Sequence, residues 1–438
     1  MILLRGGRVV TMDASRRVVD ADVLVEGSTI TTVKTVRPSG RATVIDCTGL
    51  IVIPGLVQAH IHLCQTLFRG LADDLPLEAW LAQRIWPLEA AHTEASVHAS
   101  AMLGAAELLL GGTTAILDME TVRHTGAAFQ ALETIGIRAT AGKCLMDAAD
   151  APAGLREPTD AAIAESVELC NRWHGAADGR LRYCFAPRFV PSCTGPLLRA
   201  ISDLAEKVGA VIHTHAAETI IELDTVKRET GHDEITYLDS VGISGPRAAL
   251  AHCVWVDKDG IARLARQGTN VVHCPSSNLK LGSGIAPIPE MLAAGCRVAI
   301  GADGAPCNNR LDAFTEMRLA ALIQKPRLGP DVLPAAQVLE LATLGGARAL
   351  GLETEIGSIE VGKRADLTVL DLQDPHAQPE DADLISRIVY SAGAADVRHV
   401  IVDGRIVVRD GSLITADLSE IRRAANTQAR RLRRAVGL

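Results

Sequence analysis

Aromatic residues are scarce in this chain of 438 residues: four Trp, three Tyr and five Phe, or 3%. That scarcity argues against a platform on which the bases of a single strand stack. A surplus of basic charge is also missing, since 44 Lys and Arg face 52 Asp and Glu for a net charge of −8. Phosphate backbones are bound by clustered Lys and Arg, so no nucleic-acid partner is expected. The ten cysteines include no Cys-x-x-Cys pair and no short secreted framework. Cys47, Cys64, Cys144, Cys184, Cys253, Cys274 and Cys296 stand in or beside apolar runs, where reduced cysteine serves as a small core residue. The opening Met-Ile-Leu-Leu-Arg is too short in apolar length for a signal peptide. Residues 47–68 carry no Asp, Glu, Lys or Arg and are long enough to cross a bilayer. Pro54, Gln58, His60, His62 and Gln65 nevertheless make that stretch a poor composition for lipid. The expectation is a soluble cytoplasmic protein with no membrane partner.

What is present is core-forming material, 48% apolar, in two kinds of pattern. Residues 3–12, 22–33 and 43–53 are β-rich and separated by turn signals, as are 357–372 and 398–413 near the other end. Between these ends, short apolar runs alternate with helical stretches. The runs are 55–62, 113–119, 137–145, 181–187, 210–215, 248–254, 270–274 and 297–303. Segments such as 94–110, 196–208 and 312–322 carry amphipathic helical signatures. Alternating β and α with eight strand candidates predicts an α/β fold, a (β/α)8 TIM barrel. The expected organisation is a barrel over 55–354 and a small, discontinuous β-sandwich domain from 1–54 and 355–415. A basic C-terminal helix is expected over 416–438.

The ends of the strand candidates carry the chemistry. The first ends His60-Ile61-His62, and residues i and i+2 of a strand face the same way, so both imidazoles can reach one ion. Alone that signal is weak. The fifth run, however, continues into His213-Thr214-His215-Ala216-Ala217-Glu218, and the sixth ends Ala251-His252-Cys253. The seventh runs into His273-Cys274-Pro275-Ser276-Ser277-Asn278, and the eighth into Gly301-Ala302-Asp303-Gly304. Strand C-termini of a barrel converge on one mouth, where catalytic groups are assembled. So many polar strand ends at one mouth are hard to explain as packing.

Taken together, PGLVQAHIH, HTHAAE, AHC, HCPSSNLKLGSG and GADGAPCNN resemble the amidohydrolase superfamily. Within it they resemble the branch of adenosine-type, guanine and triazine aminohydrolases. The resemblance covers nearly the whole chain, including GKRADLTVLDL near the C-terminus. It implies metal ligands at His60, His62, His215 and Asp303, a set that suits Zn2+, with Fe2+ as the alternative. Related two-metal members use a carbamylated lysine at the end of strand four. Here that strand ends Ala186-Pro187-Arg188, and arginine is not modified in that way, so one divalent ion is expected. His213 points the same way as His215 but receives no ligand role. The implied reaction is attack of an activated water on a ring carbon bearing an amino group. Asp303 would take the water's proton, Glu218 would protonate the neighbouring ring nitrogen and His252 would orient the attacking oxygen.

For substrate, HLCQTLFRGLADDLPLEAWL, IWPLEAAHTE and DGAPCNNRLDAFTEMRLAALIQK resemble the deaminases of 5′-deoxyadenosine, methylthioadenosine, S-adenosylhomocysteine and adenosine. By that resemblance Glu89 would hold the ribose hydroxyls. Lys143 and Arg156 fall where homocysteine-binding members carry an arginine pair. Lysine cannot form the bidentate fork, so S-adenosylhomocysteine is expected to be the poorer substrate. Arg188 stands where guanine deaminases also place arginine and would donate to the base, with Gln65 pairing a base edge. The alternative reading is therefore a guanine, 8-oxoguanine or pterin deaminase, or a triazine aminohydrolase or chlorohydrolase. In each case the partner is a small amino-heterocycle, and self-association is expected because relatives are often oligomeric. The low aromatic content predicts a pocket built on hydrogen bonds and ion pairs more than on stacking.

Overall fold

The computed structural model describes residues 1–36 and 42–438. The eight apolar runs form the eight positions of a closed parallel barrel. They are β1 (Leu56–His62), β2 (Thr113–Met119), β3 (Arg138–Gly142, continued by Cys144–Leu145) and β4 (Leu181–Pro187). Then follow β5 (Val211–Ala216), β6 (Ala248–His252), β7 (Asn270–His273) and β8 (Arg297–Ile300, continued by Asp303–Gly304). Each pairs in parallel with its neighbour in chain order. The barrel closes where Asp303 and Gly304 of β8 pair with Ile61 and His62 of β1. Every residue of β1 and β2 is buried, as expected for parallel strands covered on both faces. Gly301 permits that closure, because a Cβ there would lie 2.8 Å from the backbone N and O of His60. Closure thereby sets Asp303 beside His60 and His62.

Helices between the strands begin at side-chain caps. Thr93 and Ser96 form a reciprocal capping box at the start of helix Glu94–Leu110, and Thr194 accepts from the Leu197 N–H at the start of helix Gly195–Val208. Such caps satisfy backbone donors that have no intrahelical partner.

The two β-rich ends share one sheet of nine strands. Ile2–Val10 forks it: residues 2–5 pair with Thr43–Asp46, and Arg8 and Val9 pair with Ile51–Pro54. Ile51–Pro54 then pairs antiparallel with Leu367–Leu370 from the far end of the chain. Hydrogen bonding is therefore continuous through one sheet, where a sandwich is expected from the sequence, and Leu4, Val23, Val25, Val52, Leu367 and Val369 form one buried apolar cluster on it. Arg138 of β3 ties the barrel to this sheet. Its Nε donates to Asp366 Oδ2 at 2.7 Å and its Nη2 to Asp366 Oδ1 and Asp403 Oδ1, both at 2.9 Å.

The C-terminal helix, Leu418–Val436, buries Ile421, Ala425 and Leu432 and turns its arginines outward. Ala425 and Leu432 pack in a cluster with Phe68, Trp80, Leu81 and Leu88, so this helix supports one wall of the barrel mouth. All ten cysteines are buried and free. Among the described residues no helix is long and apolar enough to cross a membrane.

Candidate active site

His60, His62, His215 and Asp303 meet at the C-terminal mouth of the barrel, and their tautomers follow from their neighbours. The backbone carbonyl of Met119 lies 2.8 Å from His62 Nδ1, and that of Arg188 lies 2.6 Å from His215 Nδ1. A carbonyl only accepts, so both Nδ1 atoms carry the proton and both Nε2 atoms present lone pairs. His60 reaches the same state through His213. Ala249 O, 3.2 Å from His213 Nδ1, makes that nitrogen a donor, which leaves His213 Nε2 to accept the His60 Nδ1–H at 2.7 Å. His60 Nε2 is left buried and without a hydrogen-bond partner.

Burial keeps these rings neutral. It drives His60 down to about 4, lowers His62, and holds His213 and His215 well below the usual histidine value. Burial alone would raise the Asp303 carboxyl, but positive charge at the facing His60, His62 and His252, whether a proton or an ion they hold, outweighs it and holds the group well below the usual carboxylate range. The bare nitrogens converge: His62 Nε2 lies 3.1 Å from His215 Nε2, and Asp303 Oδ1 lies 3.3 Å from Nε2 of both His60 and His62. Lone pairs and a carboxylate at such distances, with no proton between them, repel unless a cation sits among them. The donor set fits a divalent ion of the zinc type.

Two further groups face the same space. His252 donates from Nδ1 to Asn278 Oδ1 at 2.8 Å, while its Nε2 lies 3.6 Å from Glu218 Oε2 and 3.9 Å from Asp303 Oδ2. Burial lowers His252, but the Glu218 and Asp303 carboxylates more than compensate, so its pKa is raised overall. Glu218 is pushed up by burial to about 7. The strand ends bend sharply here, since Ala217, His252 and Asp303 all take positive φ, 52°, 71° and 63°. This left-handed backbone is uncommon outside glycine and belongs to sites that aim a side chain.

Ser277 donates to Asp303 Oδ2 at 2.7 Å, and the Glu218 backbone N–H donates to Glu222 at 2.7 Å. Sequence reasoning passed over Ser277, Asn278 and Glu222. The first two lay in the motif already singled out, but nothing in one dimension told which of its polar residues turns inward.

A cavity of about 340 Å3 opens over these groups, a size suited to a small ligand. His62, Gln65, Arg188, His215, Glu218, His252 and Asp303 line it. Glu89 lies behind that wall. Its carboxylate is engaged by Arg188 Nη1 at 2.6 Å, Arg188 Nη2 at 3.3 Å and Gln65 Nε2 at 2.8 Å. Glu89, for which a ribose contact is expected, does not itself line the cavity, and its carboxylate is engaged by Arg188 and Gln65.

Lys143 and Arg156 are not brought to the pocket. Lys143 is buried, and its ammonium donates at 2.6 Å to each of Val122 O, Glu157 Oε2 and Glu165 Oε2, which occupies all its protons. Arg156 is exposed and donates to Ala149 O at 2.6 Å. Against the expectation of a pocket built on hydrogen bonds and ion pairs more than on stacking, Trp80, Trp86 and Phe189 line the cavity. Composition counts residues over the whole chain, whereas the pocket concentrates them.

Residues 51–407 match the amidohydrolase family. The chain is 44% identical over 389 residues to the 5-methylthioadenosine/S-adenosylhomocysteine deaminase of Desulforudis audaxviator, covering 89% of this chain and 88% of that one. It is 42% identical over 414 residues to the 5′-deoxyadenosine deaminase of Methanothermobacter thermautotrophicus, covering 94% of each. Its fold matches that of an adenosine deaminase from Xanthomonas campestris with bound zinc, at a TM-score of 0.93 and 33% identity, over 99% of this chain and 98% of that one. The chain belongs to the amidohydrolase family and is a hydrolase of carbon–nitrogen bonds.

Proposed function

We propose that the protein is a zinc-dependent hydrolytic deaminase of an aminopurine nucleoside, favouring a 5′-deoxy or 5′-methylthio substituent. The observation that carries this reading is the convergence of three imidazole lone pairs, one ionised carboxylate, a buried acid and an unpartnered imidazole nitrogen over a single cavity. His60, His62, His215 and Asp303 would hold the metal. A divalent cation held there would lower the pKa of a bound water towards neutrality.

The chain's own groups account for the remaining steps. His252, whose Nε2 is buried without a partner, donates to the attacking oxygen and stabilises the tetrahedral centre. Glu218, held protonated near neutrality by burial, delivers its proton to the ring nitrogen that gains electron density as the carbon is attacked. Asp303 accepts the water's proton and passes it to the departing amine, with Ser277 fixing its second oxygen. Ammonia leaves, the added hydroxyl gives up its remaining proton to restore Glu218, and a keto ring remains.

The wall supports the substrate class. Arg188 has only donors and would meet a ring acceptor, while Glu89 orients it. Gln65 Oε1 is buried without a partner and would accept from a substrate N–H or O–H. Beyond them the lining is mostly apolar, with Leu77, Trp80, Leu81, Phe189, Pro191 and Ile221 beside Glu78, Thr219, Glu222 and Thr225. Among the described lining residues Arg188 is the only Arg or Lys, and Glu89 already neutralises it. A zwitterionic amino-acid tail would find no free cation there, whereas a methylthio group would find hydrocarbon.

The test is ammonia release from 5′-deoxyadenosine, methylthioadenosine, S-adenosylhomocysteine, adenosine, guanine, isoxanthopterin and a triazine. The 5′-deoxy and methylthio nucleosides are expected to give the highest kcat/KM. Turnover of guanine or isoxanthopterin with none of the adenosine derivatives would overturn the proposal.

A further inference from the structure

The segment 275–285 leaves the barrel after β7 and passes all three groups that handle protons. Ser277 donates to Asp303 and Asn278 accepts from His252, as described above. The same segment then turns back, and Ser283 Oγ donates to Glu218 Oε1 at 3.0 Å. Ser283 is buried, at 4% exposure, and does not line the cavity. Its own carbonyl accepts the indole N–H of Trp255 at 2.7 Å, which fixes the turn from the β6 side. Gly284 has a φ of 129°, and a Cβ there would lie 2.9 Å from Val254 Cγ1, so this turn is built for glycine next to the serine.

We infer that Ser283 is a positioning residue for Glu218, held in place by Trp255, and that its hydroxyl decides which carboxyl oxygen of Glu218 delivers the proton. This rests on the reading of Glu218 as the acid. A carboxyl group has two oxygens that rotation would exchange. By donating to Oε1, Ser283 makes that oxygen the acceptor and leaves Oε2 as the oxygen that carries the proton. Oε2 is also the one that faces His252, 3.6 Å from its Nε2, and so the one on the side of the reacting ring. Without the serine the acid is free to present either oxygen, and only a fraction of bound complexes hold the proton in line with its acceptor. Substrate binding does not pass through this bond, so the loss falls on kcat and not on KM.

The experiment uses the zinc-loaded full chain with the best nucleoside substrate and compares Ser283→Ala, Ser283→Thr, Trp255→Phe and Glu218→Gln. Ser283→Ala is expected to lower kcat about tenfold, the scale of one hydrogen bond to an ionisable group, with KM within about twofold and zinc content unchanged. Ser283→Thr keeps the hydroxyl and is expected to recover most of the loss. Adding Ser283→Ala to Glu218→Gln is expected to cost nothing further, because the serine acts through the acid it orients. Trp255→Phe, which leaves Ser283 and Glu218 intact, is expected to lower kcat about threefold, and it decides the matter if Ser283→Ala does not fold. A kcat within twofold of the parent in Ser283→Ala, or in Trp255→Phe where the alanine variant does not fold, overturns the inference while leaving Glu218 as the acid. So does a full additional loss in the Glu218→Gln background. Glu218→Gln at parental activity overturns the reading of Glu218 itself, and the inference with it.

Discussion

Glu218 and Asp303 are both buried carboxyl groups, yet their surroundings drive them in opposite directions. Asp303 stays ionised, while Glu218 is carried by burial to about 7 and so holds its proton in a large share of molecules at neutral pH. Two carboxyls held apart in this way supply a base and an acid at one pH. Glu218→Gln, which keeps shape and loses the proton, is expected to lower kcat about a thousandfold. Its zinc content, read by elemental analysis, should stay at the parental level, since Glu218 touches no proposed ligand atom; loss of zinc would refute the assigned role.

Glu316, on helix Ala313–Ile323, shows the same burial without chemistry. Its carboxylate accepts the Ser276 N–H at 3.1 Å, and burial pushes it from 4.5 to about 8. The folded chain thus holds a proton that the unfolded chain releases, so this group's contribution is full below about pH 4.5 and is lost as pH rises through about 8. Glu316→Gln escapes that loss. Its unfolding free energy should lie close to the parent's near pH 5 and exceed it by on the order of 4 kcal/mol at pH 8. Denaturant melts at both pH values check this, and a difference that does not grow with pH would refute it.

Between elements, the junction of barrel and terminal sheet rests on Arg138. Its guanidinium is 1% exposed and lies against Asp366 and Asp403. Desolvating three charges is costly, but removing one partner costs more, because the carboxylates are then stranded. Arg138→Met is expected to destabilise the fold by about 3–5 kcal/mol, measured by urea unfolding, with kcat of the folded enzyme unchanged. A cost under about 1 kcal/mol would show that water reaches the junction. Elements were also where sequence patterns worked best. Eight apolar runs became eight strands, since a parallel strand buried on both faces leaves a short apolar run. The interruptions at Lys143 and at Gly301-Ala302 were not legible, because each depends on a neighbouring chain.

At the scale of the whole molecule, the site exists only once the barrel has closed, since β1, β5 and β8 each supply proposed ligands. Metal binding and folding are therefore linked. Removing zinc with a chelator should lower Tm, and restoring it to a hundredfold excess over Kd should return about 2.7 kcal/mol. A His60→Asn variant should show no such response in thermal melts. An equal chelator effect in both proteins would argue against the assigned site.

The sequence by itself determined the family resemblance, and with it the reaction class and the strand ends proposed to carry it. His60 and His62 share a face through the two-residue period of a strand, and Glu218, His252 and Asp303 stand at or just past the ends of strands, where a barrel places its working groups. Only the tertiary structure decided how those groups are set. The carbonyls of Met119, Arg188 and Ala249 choose the tautomers, and Glu89 turns to Arg188 instead of the pocket. Lys143 is enclosed by Glu157 and Glu165, and rare aromatics gather at one wall. The reason is physical: which residue types can do a reaction is a local property, readable along the chain. Which lone pair, proton or charge faces the substrate depends on partners far away in sequence, and closure of the barrel alone brings them together.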